Sequence, residues 1–179
     1  MRIVSGNLKG RRFAPPSSFK ARPTTDQARE SLFNILNNLI DFEEQTVLDL
    51  FSGTGAMSYE FASRGCKTVT SVEKNFAHFK FIKNTAKGLG IENNIKILKT
   101  DTFKHLLKDS GQYTLIFADP PFDLPQINDI PESVMTSGCL HGDGIFILEH
   151  GPDKNFEDYK YFWQVRHYGK VNFSFFKQT

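Results

Sequence analysis

From residue 46 onward the chain alternates two kinds of segment, and this alternation limits its fold more than any other feature. Short apolar, β-prone runs lie at 46–51, 67–73, 94–99, 113–118 and 144–149. Between them stand segments with helical spacing at 56–64, 75–89, 102–108 and 126–136. In 75–89, for example, Phe76, Phe79, Ile82, Ala86 and Leu89 share one stripe. Strands separated by helices form parallel βαβ units with helices on both faces of the sheet. Ligands in such sheets sit at the carboxyl ends of the strands. That rule gathers Asp49, Gly53, Glu73, Asp101 and Asp119 on one edge.

The flanks read differently. Residues 2–13 suggest a short hairpin around Gly6-Asn7 and Gly10, followed by a Pro15-Pro16-Ser17-Ser18 linker. Pro23-Thr24-Thr25-Asp26 offers N-cap residues for a helix whose apolar face is Ala28, Leu32, Phe33, Ile35, Leu36 and Leu39. After the last parallel strand, 153–159 is expected to be a short helix. Residues 162–168 and 171–176 are expected to pair antiparallel around Gly169. The chain divides into a basic arm, 1–22, and a main domain, 23–179.

Charge separates these two parts. Residues 1–25 carry Arg2, Lys9, Arg11, Arg12, Lys20 and Arg22 and no acid; the other 16 basic residues face 20 acidic ones. A basic arm on a mildly acidic body suits a polyanion, although a solvated terminus explains the charge as well. No apolar run is long enough to span a bilayer, and MRIVSGNLKG lacks the apolar core of a secretory signal, so a cytoplasmic protein is expected. Cys66 and Cys139 suit two free thiols in a reducing compartment. The five histidines show no ligand spacing, and no metal site is expected.

DLFSGTGAMS, Asp49 to Ser58, carries the first chemical signal. Gly53 and Gly55 follow a strand and precede a helix, where they let a ligand approach the backbone. Ser58 stands where a dinucleotide fingerprint has its third glycine, and no Gly-Lys-Ser/Thr follows. Asp49 suits a cation, and S-adenosylmethionine carries a sulfonium and an amino group but no phosphate. Glu73, 20 residues after Gly53, can accept from both ribose hydroxyls. Asp101, with Thr102, can accept from an adenine amine; an ordinary helix cap explains Asp101 nearly as well. The cofactor-binding set expected is Asp49, Phe51, Gly53, Thr54, Gly55, Glu73, Lys74, Asp101 and Thr102.

The second signal is FADPPF at the end of the fourth strand. The amine of guanine or adenine is a weak nucleophile because its lone pair is delocalised into the ring. Asp119 and the Pro120 carbonyl supply two acceptors that can hold such an amine toward a methyl group. Pro120 and Pro121 carry no N–H, so no donor competes. Phe122 can stack on the base. A structural Pro-Pro turn is the alternative, and it is the better explanation for the motif in isolation. The catalytic set expected is Asp119, Pro120, Pro121 and Phe122.

In order and spacing, DLFSGTG, SVEKN (Ser71 to Asn75), the Asp101 strand end and FADPPF resemble the motifs of class I S-adenosylmethionine-dependent methyltransferases that act on amino nitrogens. RIVSGNLKGRRF, RPTTDQARESLFNIL and YGKVNFSFF extend the resemblance over nearly the whole chain, to the bacterial RsmD family, which methylates N2 of one guanine in 16S ribosomal RNA. The resemblance implies a Rossmann-like α/β fold with a seven-stranded, mostly parallel sheet. Its strand order would be 3-2-1-4-5-7-6, with strand seven antiparallel and a small hairpin in front. It implies in-line methyl transfer from S-adenosylmethionine and the assembled small ribosomal subunit as substrate; a monomer is expected. Arg2, Lys9, Arg11, Arg12, Arg22 and Arg29 are then expected to contact RNA. Arg22 and Arg29 could instead reach the target nucleotide or the cofactor edge. Two other readings remain open: a DNA adenine-N6 methyltransferase, and a non-catalytic RNA-binding protein that keeps the fold.

Overall fold

A computed structural model describes residues 1–19 and 26–178. The expected helix start at 23–25, Lys20 and Arg22 lie outside the described residues. The main body is one seven-stranded sheet: β1 (Thr46–Leu50), β2 (Thr68–Val72), β3 (Ile95–Leu98), β4 (Tyr113–Ala118), β5 (Leu140–His150), β6 (Phe162–Tyr168) and β7 (Val171–Lys177). Its order is β3-β2-β1-β4-β5-β7-β6. The first five strands are mutually parallel, and β7 runs antiparallel to both β5 and β6. This is the Rossmann-like sheet expected from the sequence. Helices α1 (Asp26–Leu36), α2 (Ala56–Ser63), α3 (Phe76–Leu89), α4 (Thr102–Leu106) and α5 (Ile130–Thr136) complete it.

Both faces of the sheet are covered, which is why its central strands are nearly all apolar. Side chains alternate across the pleat. Val47, Val69, Leu115, Phe117, Ile145 and Ile147 enter one core, together with Ala28, Leu32, Phe33 and Leu36 of α1 and Phe61 of α2. Leu48, Leu50, Val72, Ile116, Phe146 and Leu148 enter the other, with Leu106 of α4 and Val134 of α5.

The N-terminal segment keeps the expected hairpin in minimal form: Ile3 N donates to the Arg11 carbonyl (2.9 Å), Gly10 N to the Ile3 carbonyl (2.9 Å) and Phe13 N to the Met1 carbonyl (3.1 Å). Among the described residues, its only strand pairing is one antiparallel bridge, Arg2 to Arg12. What holds it is α2. The buried Glu60 carboxylate accepts from Val4 N (2.8 Å) and Ser5 N (3.0 Å). Ser63 Oγ accepts from Leu8 N (2.9 Å) and donates to the Ser5 carbonyl (2.6 Å), while the Ser63 carbonyl accepts from Asn7 N (2.7 Å). Gly6 is the close-approach residue: a Cβ there would lie 1.9 Å from the Ser63 carbonyl oxygen.

Some boundaries differ for local reasons. The helix expected at 153–159 is a run of turns, because the Asn155 side chain takes the Glu157 N–H and Phe156 is fixed in the core. The helix expected at 126–136 splits into a 3-10 turn, Ile127–Asp129, and α5. Leu39 lies beyond the end of α1 and is 38% exposed, since Asn37 and Asn38 favour tight turns over helix.

Candidate active site

Pleat parity builds the site. Asp49 follows Val47 on β1, Asp119 follows Phe117 of β4, Glu149 follows Ile147 on β5, and Glu73 follows Val69 and Ser71 of β2. Four strands therefore send a carboxylate from their carboxyl ends toward the same face, the one covered by α1 and α2. A cavity of about 790 Å³ opens there. It is lined by Asp49, Phe51, Gly53, Thr54, Glu73, Lys74 and Thr102 from the expected cofactor set, and by all four residues from Asp119 to Phe122. The two expected sites thus meet in one cavity.

The glycine loop is held from several sides. Phe51 adopts φ 60°, a strained conformation for a side chain with a Cβ, and such strain clusters at functional sites. Glu73 braces the loop: Oε2 accepts from Gly53 N (2.8 Å) and Oε1 from Asn75 N (2.7 Å). Each oxygen keeps a lone pair for a further donor. Gly55, at φ 80°, N-caps α2 from behind the cavity; a Cβ there would lie 2.6 Å from the Tyr59 ring.

Asp49 is fully buried and accepts a 2.5 Å hydrogen bond from Ser58 Oγ. Burial raises its pKa to about 7, against the lowering effect of the Ser58 and Ser52 hydroxyls. A carboxyl poised in this way gains most from a ligand that brings its own positive charge. The serine that replaces a third fingerprint glycine is thus a partner of the acid.

On the other side, Gly151 sets the position of Phe122. A Cβ on Gly151 would fall 3.2 Å from Phe122 Cδ2, so the ring lies against this backbone. His150 locks the turn. Its Nδ1 is 2.8 Å from the Gly151 carbonyl and its Nε2 is 2.8 Å from Ser174 Oγ. A carbonyl only accepts, which assigns the proton to Nδ1 and makes Nε2 the acceptor for the Ser174 hydroxyl. Burial lowers the His150 pKa and keeps the ring neutral. Its role is to shape the wall.

The remaining expected residues are spread out. Asp101 does not line the cavity; its Oδ1 caps α4, accepting from Phe103 N and Lys104 N. Arg2, Lys9, Arg11 and Arg12 are exposed on the N-terminal segment, and Arg11 Nη2 reaches the Gly88 carbonyl at 3.4 Å. Arg29 is buried in α1 and lines the cavity. Glu149 and Met1 line it too, outside the sets expected for catalysis and cofactor binding; the sequence places Glu149-His150 at the functional edge, in a structural role. Strand parity could have pointed to Glu149; nothing local could have pointed to Met1. Among the described residues, no group of three or more His, Cys, Asp or Glu could hold a metal ion. No helix there is long and apolar enough to cross a membrane.

Residues 1–177 match the model of the family described as conserved hypothetical protein 95. The Escherichia coli K12 ribosomal RNA small subunit methyltransferase D is 30% identical over 150 residues, 83% of this chain and 74% of that protein. Among solved structures, a hypothetical protein of Thermus thermophilus superposes with TM-score 0.87 at 24% identity, covering 99% of each chain. A T. thermophilus 16S rRNA N2 G1207 methyltransferase, solved with AdoMet and guanosine, superposes with TM-score 0.73 at 21% identity, covering all of this chain and 49% of that one. These two likenesses concern the fold.

Proposed function

The chain belongs to the conserved hypothetical protein 95 family, the RsmD family of ribosomal RNA methyltransferases, and on that premise we propose that it methylates the exocyclic N2 amine of one guanine in 16S rRNA with S-adenosylmethionine. One observation carries the reading: the Asp49–Gly53–Glu73 group and the Asp119–Phe122 segment line a single cavity. Its volume suits a ligand of this size. The donor set suits it as well, since Asp49 complements an ammonium and Glu73 complements vicinal hydroxyls.

When bound, the cofactor supplies an electrophilic methyl group on sulfur. The residues of the chain prepare the nucleophile. Asp119 and the Pro120 carbonyl accept hydrogen bonds from the guanine amine and turn its lone pair toward the methyl carbon. Phe122, supported on Gly151, offers a face for the unstacked base. Forming the N–CH3 bond would break the S–CH3 bond, with its electron pair left on sulfur; the amine must then lose one proton, and Asp119 is the acceptor at hand. Unstacking the base costs a few kcal/mol, which favours a loop nucleotide. Arg2, Lys9, Arg11 and Arg12 supply phosphate contacts beside the cavity wall that Met1 helps to form. The substrate is the small ribosomal subunit, and the enzyme acts as a cytoplasmic monomer.

The test is transfer of label from S-adenosylmethionine to 30S particles lacking the modification. Asp119→Ala is expected to lower the rate by roughly 10²–10⁴-fold while cofactor affinity holds. Unchanged turnover in this variant would remove the clamp role. Labelling of duplex DNA in place of 30S particles would select adenine N6.

A further inference from the structure

We propose that Arg29 is the anchor for the carboxylate of the cofactor's amino-acid tail, a positioning role that the exposed arginines of the N-terminal segment do not share. It rests on the cofactor reading given above but not on the identity of the methylated base.

Arg29 is 1% exposed and lines the cavity. Its Nη2 donates to Asp26 Oδ1 (2.7 Å) and to the Arg2 carbonyl (2.8 Å). Its Nε and Nη1 have no acceptor among the described residues. A buried cation with two idle nitrogens is rare in a finished structure, because each idle N–H has lost water and gained nothing. Asp26 is half exposed, so its pairing with Arg29 is partly screened. The guanidinium is therefore prepared for an anion that arrives with a ligand.

Position narrows the anion. The Arg2 carbonyl that Arg29 holds follows Met1, and Met1 Sδ lies 3.6 Å from Thr54 Oγ1 in the glycine loop. Arg29 thus stands near the loop side of the cavity that Met1 covers. Lys74, the other arginine or lysine on the wall among the described residues, adjoins Glu73, where the ribose is expected. S-adenosylmethionine carries one anionic group, the carboxylate of its amino-acid end, next to the ammonium that Asp49 suits. Arg29 on α1 lies over the sheet face that carries Asp49 and brings a buried cation to the same cavity.

Calorimetry with S-adenosylmethionine and with its decarboxylated analogue tests the assignment. Wild-type protein is expected to bind the analogue on the order of 10–100-fold more weakly. Arg29→Met should bind both ligands with nearly equal affinity, and Arg29→Lys should restore part of the difference. On wild-type protein, the Arg29 Nε–H resonance should move with S-adenosylmethionine and stay in place with the analogue; this readout holds if the methionine variant folds poorly. Equal affinities in wild-type protein, or an undiminished difference in Arg29→Met, would overturn the proposal and leave the cofactor reading standing. A wild-type protein that binds neither ligand would overturn both. If Arg29→Met instead lowered only the salt dependence of 30S binding, Arg29 would serve an RNA phosphate and the proposal would fail.

Discussion

Two buried charges lie beneath the N-terminal segment, and they are treated in opposite ways. Glu60 on α2 is fully buried, and both oxygens are engaged by Val4 N, Ser5 N and Arg64 Nε (3.0 Å). Arg29 on α1 is as deep, yet among the described residues only one of its three nitrogens is engaged. The same hydrogen-bond count thus separates structure from function. A satisfied buried charge fixes the chain; a half-satisfied one facing a cavity awaits a ligand.

Removing each charge should break the symmetry most visibly in stability. Glu60→Ala leaves two backbone N–H groups and Arg64 Nε without their acceptor. It is expected to cost about 3–5 kcal/mol in urea unfolding and to open residues 1–13 to hydrogen exchange. Arg29→Met removes a charge that was already poorly served and keeps the volume. It should stay within about 1 kcal/mol of wild type in the absence of ligand. Comparable losses in the two variants would dissolve the distinction.

Asp49 is the acidic counterpart of Arg29: buried, held by Ser58, and without a positive partner among the described residues. Its folded pKa of about 7 stands above the ordinary 3.8, so folding favours the neutral carboxyl. In the ligand-free chain, this group's contribution to stability is therefore present at low pH and is lost as pH rises toward 7. If Asp49 holds the cofactor's ammonium, binding needs the carboxylate, and affinity should fall about tenfold per pH unit below 7. It should fall again above roughly 8, where the ligand's own amine loses its proton. Titrations from about pH 5.5 to about 9 should trace this bell, and Asp49→Asn should flatten its acid limb. An acid limb that persists in the asparagine variant would assign it to another group.

Much of this was legible in the sequence because it depends on spacing along one strand or one loop. The parallel βαβ core, the glycine loop with Asp49, and the Asp119–Phe122 segment need only the alternation of elements and the rule that ligands bind at strand ends; the strand order is what the family resemblance implies. The two buried charges were not legible for the opposite reason. Glu60 sits in AMSYEFASR like any helical acid, and its partners are 55 and 56 residues away. Arg29 stands among the RNA-facing arginines in the sequence, with the target nucleotide or the cofactor edge as alternatives, because composition reports charge and not depth. The short helix expected at 153–159 fails for a related reason: its local signal is weak, and Phe156, fixed in the core, decides the backbone instead.

The smallest expected effect is the finest probe of the comparison. Asp26 is the only carboxylate that touches Arg29 among the described residues, and it is half exposed. Asp26→Asn keeps an oxygen at the same place and removes the charge, so stability should change by less than about 1 kcal/mol. The guanidinium would then face the cavity with less of its charge offset. If Arg29 holds the cofactor carboxylate, S-adenosylmethionine should bind a few-fold tighter to Asp26→Asn, more so at low salt, while the decarboxylated analogue gains nothing. A gain for both ligands would mean that the substitution acts through the shape of α1, and Arg29 would belong with Glu60 among the charges that only hold the chain in place.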